Sequence, residues 1–240
     1  MRASAGYKRA LLKISGEALS GDRGFGWDPQ KVAWIAGEIA HARQGGRELA
    51  VVVGGGNILR GGDSAALGVS PLLADGMGMI ATVLNAMALS ASLERLGVPA
   101  QAMSAFPVGS FVPLFDLKTA ISAVSSGVVV VFGGGTGNPC FTTDSAAALR
   151  AVELDANVMI KGTQVSGVFD RDPKEDAQAI FFPSLTTDEV LARRLRVIDA
   201  TSIEILGRKH IPIIVLDLHR EGNLARAVAG EKVGTLIEPV

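Results

Sequence analysis

Three glycine-rich stretches of this chain stand beside cations and a carboxylate in an arrangement suited to phosphate. They are Lys13-Ile14-Ser15-Gly16-Glu17, then Gly54-Gly55-Gly56-Asn57 with Arg60 close behind, then Gly133-Gly134-Gly135-Thr136-Gly137-Asn138-Pro139 with Asp144 beyond. Glycine lets backbone N–H groups approach a phosphate where a side chain would block it. A lysine at the end of a strand can carry its ammonium to a terminal phosphate, and an arginine presents a planar fork to phosphate oxygens. An aspartate opening a helix can orient a lysine or hold Mg²⁺ through water. Its plainer role is to complement the helix dipole, worth about 0.5–1 kcal/mol. Any one glycine loop is explained by a tight turn, but three loops with Lys13 and Arg60 among them point to a polyanionic ligand. Phosphoryl transfer makes this demand, since it needs positioning and positive charge around the moving group.

Other chemistries find less support. No Gly-Lys-Ser/Thr occurs, so the chain has no P-loop of that kind. Gly76-Met77-Gly78-Met79-Ile80-Ala81 has the spacing of a dinucleotide fingerprint, but Leu72-Leu73-Ala74-Asp75 before it reads as helix or loop rather than strand. His41, His210 and His219 are scattered without metal-ligand spacing, so no residue is assigned as a metal ligand. The single cysteine, Cys140, excludes a disulfide framework. With 23 Lys+Arg against 24 Asp+Glu, there is no diffuse basic field for nucleic acid or an anionic membrane, and neither is expected as a partner.

The elements that must hold these loops are legible in outline. Ala10–Ile14, Leu49–Val53, Val128–Phe132, Val158–Ile160 and Ile213–Leu216 are continuous apolar runs rich in β-branched residues. Such runs fit strands buried on both faces of a parallel sheet. Helical patterns lie between them. One starts at Asp28-Pro29 and runs towards Gln44, one covers Met77 to Leu96, and one runs from Thr142/Thr143 to Val152. Two more span Asp188–Leu195 and Ser202–Lys209. The expected fold class is α/β, a three-layer α/β/α sandwich around a mainly parallel sheet, forming one domain over residues 1–240 with residues 1–6 a flexible start. The 29 glycines exceed the roughly 7% usual share, and many fall where strands end. Mean hydropathy is +0.33. The uncharged stretches Gly76–Leu93, Leu96–Phe115 and Thr119–Thr143 nevertheless read as buried segments of a water-soluble protein, because they carry polar residues, prolines or glycine clusters. No apolar h-region follows the basic N-terminus, so a cytoplasmic location is expected.

On these residues the chain resembles the bacterial uridylate (UMP) kinases of the amino acid kinase superfamily. The resemblance is carried by Lys13 to Leu19, Gly54-Gly55-Gly56-Asn57, Asp75 to Met79, Gly135 to Pro139 and Phe141 to Asp144, and it extends from Tyr7 to the closing Gly230–Ile237. It implies an amino acid kinase (carbamate kinase-like) fold and the reaction ATP + UMP → ADP + UDP in pyrimidine nucleotide biosynthesis. It also implies Mg²⁺ carried mainly on the nucleotide phosphates, and a homohexamer. Carried over residue by residue, it places Lys13, Ile14, Ser15, Gly16, Gly56 and Arg60 on the ATP phosphates, and Thr163, Phe169 and Asp172 on adenosine. Gly55, Asp75 and the run Thr136, Gly137, Asn138, Pro139, Cys140, Phe141, Thr142, Thr143 fall to UMP. Lys13, Arg60 and Asp144 are the expected catalytic set. Lys161 lies in the adenosine stretch, where a lysine at a strand end is more often solvated.

The chain departs from the family pattern at Cys140, where an aromatic is usual, and at Ser166, where an aspartate is common. A nucleophilic cysteine does not fit, because direct transfer needs none and no histidine is close in sequence. Between residues 61 and 149 the only basic residues are Arg95 and Lys118. A triphosphate effector needs charge-assisted donors, so activation by GTP is expected to be weak or absent, while UTP can compete through the UMP site. The alternatives are a noncatalytic nucleotide or oxyanion-binding protein of the same fold and a carboxylate-phosphorylating amino acid kinase.

Overall fold

The structure, a computed structural model, describes residues 6–59, 68–195 and 197–240. It opens with β1 (Arg9–Ile14), whose carboxyl end runs into a short helix, α1 (Glu17–Ser20), and a single 3-10 turn (Gly21–Arg23). Asp28 then caps α2 (Pro29–Ala42), accepting from the Gln30 and Lys31 N–H groups, with Pro29 at the first helical position. β2 (Glu48–Val53) follows and is buried at every residue.

The long helix α3 (Pro71–Arg95) begins six residues before the expected Met77. Ser70 accepts from the Leu73 N–H and Pro71 starts the first turn, so Gly76 lies inside the helix rather than ahead of it. β3 (Ala100–Ser104), α4 (Leu117–Ser125) and β4 (Val129–Gly133) come next, α4 opening at an Asp116 cap. Then come α5 (Thr143–Glu153), β5 (Val158–Thr163), β6 (Val168–Phe169), β7 (Phe181–Phe182) and β8 (Ser184–Thr186). α6 (Thr187–Ala192), α7 (Ala200–Gly207), β9 (Ile213–Asp217), α8 (Asn223–Val228) and β10 (Thr235–Glu238) complete the order.

Eight strands form one sheet in the order β3-β4-β2-β1-β5-β9-β10-β8, and β6 and β7 pair separately. Every neighbour pair in the large sheet is parallel except β9 with β10. One face packs Leu12, Ile14, Val51 and Val53 against α2, α3 and α8 through Ile35, Ile39, Leu89, Leu93 and Leu224. The other packs Leu11, Val52, Val130 and Phe132 against α4, α5 and α7 through Val124, Ala147, Ala151 and Leu206. The expected three-layer sandwich is the observed architecture.

The uncharged stretches are less uniformly buried than expected. α3 is long and apolar enough to cross a bilayer by length and composition, yet its Ala86, Leu89 and Leu93 side forms part of the core. Its opposite side exposes Ile80, Leu84 and Met87. Phe111, in the segment Leu96–Phe115, is 79% exposed. Burial follows the helix face and the loop path rather than the absence of charge.

Candidate active site

The carboxyl ends of β1, β2, β4 and β5 lie side by side in the parallel sheet, which brings the glycine loops together. The first two loops touch through backbone. A Cβ on Gly16 would lie 2.7 Å from the Gly54 carbonyl oxygen and 2.8 Å from the Gly56 nitrogen, so no other residue fits without displacing main chain. The Gly54 N–H donates to the Ile14 carbonyl at 2.8 Å. Ile14 contributes main chain only, since its side chain is fully buried.

A buried amide pair fixes the second loop. Asn85 on α3 donates to the Gly54 carbonyl at 2.7 Å and to the Asn57 side-chain oxygen at 2.6 Å. Asn57 in turn donates to the Gly26 carbonyl at 2.7 Å, and the Trp27 indole N–H donates to the Asn85 oxygen at 2.8 Å. Thr82, also on α3, takes the Gly134 N–H at 2.6 Å and so holds the third loop. One helix therefore fastens two loops.

Between α3 and these loops lies a cavity of about 340 Å³. Gly55, Asp75, Asn138, Pro139, Phe141, Thr142 and Thr143 line it, as expected for one shared ligand. Gly56 lines it too, although the sequence reading set Gly56 on the other nucleotide. Thr136, Gly137 and Cys140 belong to the same loop but are not among its lining residues. The Thr136 hydroxyl accepts from the Asn138 N–H at 3.2 Å, and Gly137 packs on Ala105. Cys140 is exposed at φ 68°, and its N–H donates to the Asp75 carboxylate at 2.8 Å, which ties the loop to α3.

The centre of charge is Asp144. Lys13 on β1 and Lys161 on β5 are register partners in neighbouring parallel strands, so their side chains leave the same face of the sheet at the same level. Asp144 stands opposite them, with Oδ1 2.9 Å from the Lys13 Nζ and Oδ2 accepting from the Lys161 Nζ at 2.5 Å. All three side chains are less than 15% exposed. The cap of α5 is Thr142, so Asp144 is the orienting residue for two lysines rather than the capping group. Lys161 is not solvated, contrary to the usual behaviour of a strand-end lysine. Burial pushes its ammonium below the ordinary lysine value, and Lys13 pushes the same way, while Asp144 pulls against both.

A second cavity of about 200 Å³ is lined by both lysines together with Ser15, Thr163 and His219 among others. The Thr163 hydroxyl lies within hydrogen-bond distance of the Leu216 and Val165 carbonyls. Further along is a larger recess of about 660 Å³ that contains Phe169 and Asp172. There Phe169 meets Phe181 edge-on at 5.4 Å, and Asp172 accepts from the Lys174 N–H at 2.9 Å. Arg60 lies outside the described residues.

Sequence reading left three supports of the site without a role. Asn85 and Thr82 are two of the four polar positions in the uncharged stretch Gly76–Leu93, which is the signal that was available for them. Asp199, three residues before Ser202, has the spacing of a helix cap, and it does cap α7. Burial pushes the Asp199 carboxyl up, but hydrogen bonds from Thr142, Ser202 and Ser145 outweigh this and hold it below the usual carboxylate range.

Comparison with known proteins agrees with this geometry. The model of the amino acid kinase family matches residues 8–217. A solved structure of UMP kinase from Bacillus anthracis is 31% identical with a TM-score of 0.94, the match covering 98% of this chain and 97% of that one. UMP kinase from Ureaplasma parvum is 32% identical at TM-score 0.90, covering 96% and 98%. Uridylate kinase from Archaeoglobus fulgidus is 32% identical at TM-score 0.73, covering 95% and 99%. The chain belongs to the amino acid kinase family.

Proposed function

We propose, from membership of the amino acid kinase family as premise, that this protein is a UMP kinase transferring the γ-phosphoryl group of ATP to UMP. One observation carries the reading. Asp144 directly follows the lining of the first cavity, and it holds the two lysines that line the second. Two anionic ligands placed in these cavities would meet at a pair of oriented ammonium groups.

In this mechanism an oxygen of the UMP phosphate attacks the γ-phosphorus in line, the bond to the β-phosphate oxygen breaks, and ADP leaves. The acceptor is already anionic, so no general base is required. The protein's tasks are to close the distance and to neutralise charge. Lys13 and Lys161 supply the charge, and Arg60 is proposed to join them. Asp144 fixes the lysines, and the glycine loops offer N–H donors. Asp75 and the loop Thr136–Thr143 are proposed to hold UMP. Ile14, Ser15, Gly16, Gly56, Thr163, Phe169 and Asp172 are proposed for ATP, with the Gly56 main chain facing both nucleotides.

Among the described residues no three His, Cys, Asp or Glu side chains converge, and Asp144 is already engaged by two cations. These residues do not fit a protein-held metal. Magnesium is proposed to arrive on the nucleotide phosphates, and no step is assigned to it.

We further propose a single catalytic domain acting in the cytoplasm in pyrimidine nucleotide biosynthesis and assembled as a homohexamer. The exposed apolar stripe of α3, with Leu73, Ile80, Leu84 and Met87 at helical spacing, supports self-association. Sedimentation should give a hexameric mass, and Leu84→Glu should split it.

A coupled assay with UMP, CMP, dTMP, aspartate and acetylglutamate as acceptors tests the reaction. UDP formation from UMP is expected to dominate. ATP binding without phosphorylation of any acceptor would favour the binding-protein alternative. Adding GTP is expected to change the rate little, and UTP to compete with UMP.

A further inference from the structure

Asp199 joins two helix starts in a way the transfer mechanism does not require. Its carboxylate has about four acceptor positions, and all are used. Oδ1 takes the Ser202 N–H at 2.7 Å and the Ser202 hydroxyl at 2.8 Å, which caps α7. Oδ2 takes the Thr142 hydroxyl and, at 3.1 Å, the Ser145 hydroxyl on α5.

Thr142 relays this contact. A hydroxyl has one proton and two lone pairs. With its proton committed to Asp199, Thr142 Oγ1 turns its lone pairs to the N–H groups of Asp144 at 3.1 Å and Ser145 at 3.2 Å. The first of these belongs to the residue that grips Lys13 and Lys161. A continuous path therefore runs from the α7 cap through Asp199 and Thr142 to the backbone of Asp144, and from its carboxylate to both ammonium groups.

We propose that Asp199 is a positioning residue for phosphoryl transfer, setting the first turn of α5 through the Thr142 hydroxyl and thereby the placement of Asp144 between Lys13 and Lys161. The proposal rests on the kinase reading for its effect on turnover, but its effect on the lysines is independent of any substrate.

Asp199→Asn isolates the contact. Asparagine is as good a helix cap as aspartate, so α7 keeps its start. The single amide oxygen serves Ser202, and the NH₂ group is left facing Thr142. It must then donate where the wild-type carboxylate accepts, which reverses the polarity of the relay. A shift of the charged groups by a fraction of an ångström is enough to reduce transfer while leaving UMP bound.

The test uses wild type, Asp199→Asn, Thr142→Val and the double variant. Turnover of Asp199→Asn should fall about 10–100-fold, in line with the cost of misplacing a reacting group by about 1 Å. Its UMP KM should stay within about threefold, separating positioning from binding. The double variant should be no slower than Thr142→Val alone, because the two act in series. In parallel, the Lys161 ammonium resonance is titrated in isotope-labelled protein without nucleotide. It should move to lower pH in both single variants. Asp199→Asn also removes a charge that favours the ammonium directly, so Thr142→Val, where only support from Asp144 is weakened, decides between relay and distant charge.

Unchanged turnover in Asp199→Asn would overturn the proposal, as would losses that multiply in the double variant. An unmoved Lys161 titration in Thr142→Val would also overturn it, leaving Asp199 as a distant charge only. Failure of wild type to form UDP would sink the kinase reading and leave the lysine titration to decide this proposal by itself.

Discussion

The cavity lined as far as Thr143 and the cavity lined by the two lysines that Asp144 holds present different charge. Among the described residues lining the one beside α3, Asp75 is the only charged side chain, and glycines form much of the wall. The one beside β5 is lined by two lysines and a glutamate. A negatively charged nucleotide entering the first cavity meets a carboxylate and backbone dipoles. Among the described residues, its phosphate finds cations only at the two lysines of the second. On the proposed reading, shape and main-chain N–H groups select the acceptor, whereas concentrated charge serves the group in flight. Such a separation of positive charge from the acceptor's pocket would stabilise the transition state in preference to the bound substrate.

The sharpest test of this division is Lys13→Ala. Losing one preorganised cation of the shared boundary should lower kcat by about 10²–10³-fold, with UMP KM changed far less. Steady-state kinetics at saturating ATP measures both. Equal damage to kcat and KM would erase the distinction between the cavities.

Asp75→Ala probes the opposite side. It removes the acceptor that holds the Cys140 N–H, a solvent-exposed contact worth roughly 0.5–1.5 kcal/mol. UMP KM should rise about tenfold or more, while ATP KM stays near its wild-type value.

Gly55→Ala tests whether the acceptor wall is sterically fixed. The added Cβ would sit 2.8 Å from the Gly78 carbonyl oxygen, so α3 and the loop must part. Denaturant unfolding should show a loss of about 1–3 kcal/mol, the usual cost of overpacking, with a higher UMP KM and a smaller change in kcat.

The smallest expected effect concerns pH. Burial sets Lys161 below the usual lysine value of 10.5, so the folded protein loses this proton before the unfolded chain does. Turnover should therefore decline with rising pH along a limb that lies below 10.5. Between the folded and unfolded values the unfolded chain binds more protons, so this residue makes stability rise with pH there. Lys161→Arg, whose charge does not titrate in this range, should carry the limb to higher pH.

Much of the frame was legible in the sequence because it was written in local terms. The β-branched runs marked the inner strands, and Asp28-Pro29 and Thr142 marked helix starts. β3, with the sequence Ala-Gln-Ala-Met-Ser, lacks that signature and sits at the sheet edge, where less of it is buried. The start of α3 carried a Ser-Pro signal, but two glycines inside the helix weakened the reading. In the site, Lys13 and Asp144 stood out because each adjoins a glycine loop. Lys161 did not, because its meaning comes from lying level with Lys13 on the neighbouring strand. That relation exists only once β1 and β5 have paired. Asp199 was hidden for the same reason. Its own helix announces a cap, but its second set of contacts belongs to a helix more than fifty residues away.

For inheritance, the Asn57–Asn85 pair behaves as a single character rather than two. Each side chain both gives and takes a hydrogen bond in a dry interior, and between them they serve Gly54, Gly26 and Trp27. Changing either asparagine to leucine strands polar groups on the other and on the main chain, and changing it to aspartate buries a charge facing carbonyl oxygens. A chain drifting through single substitutions therefore meets a barrier at both positions. The route around it requires two coordinated changes, so descendants of this sequence should keep both amides or lose both together.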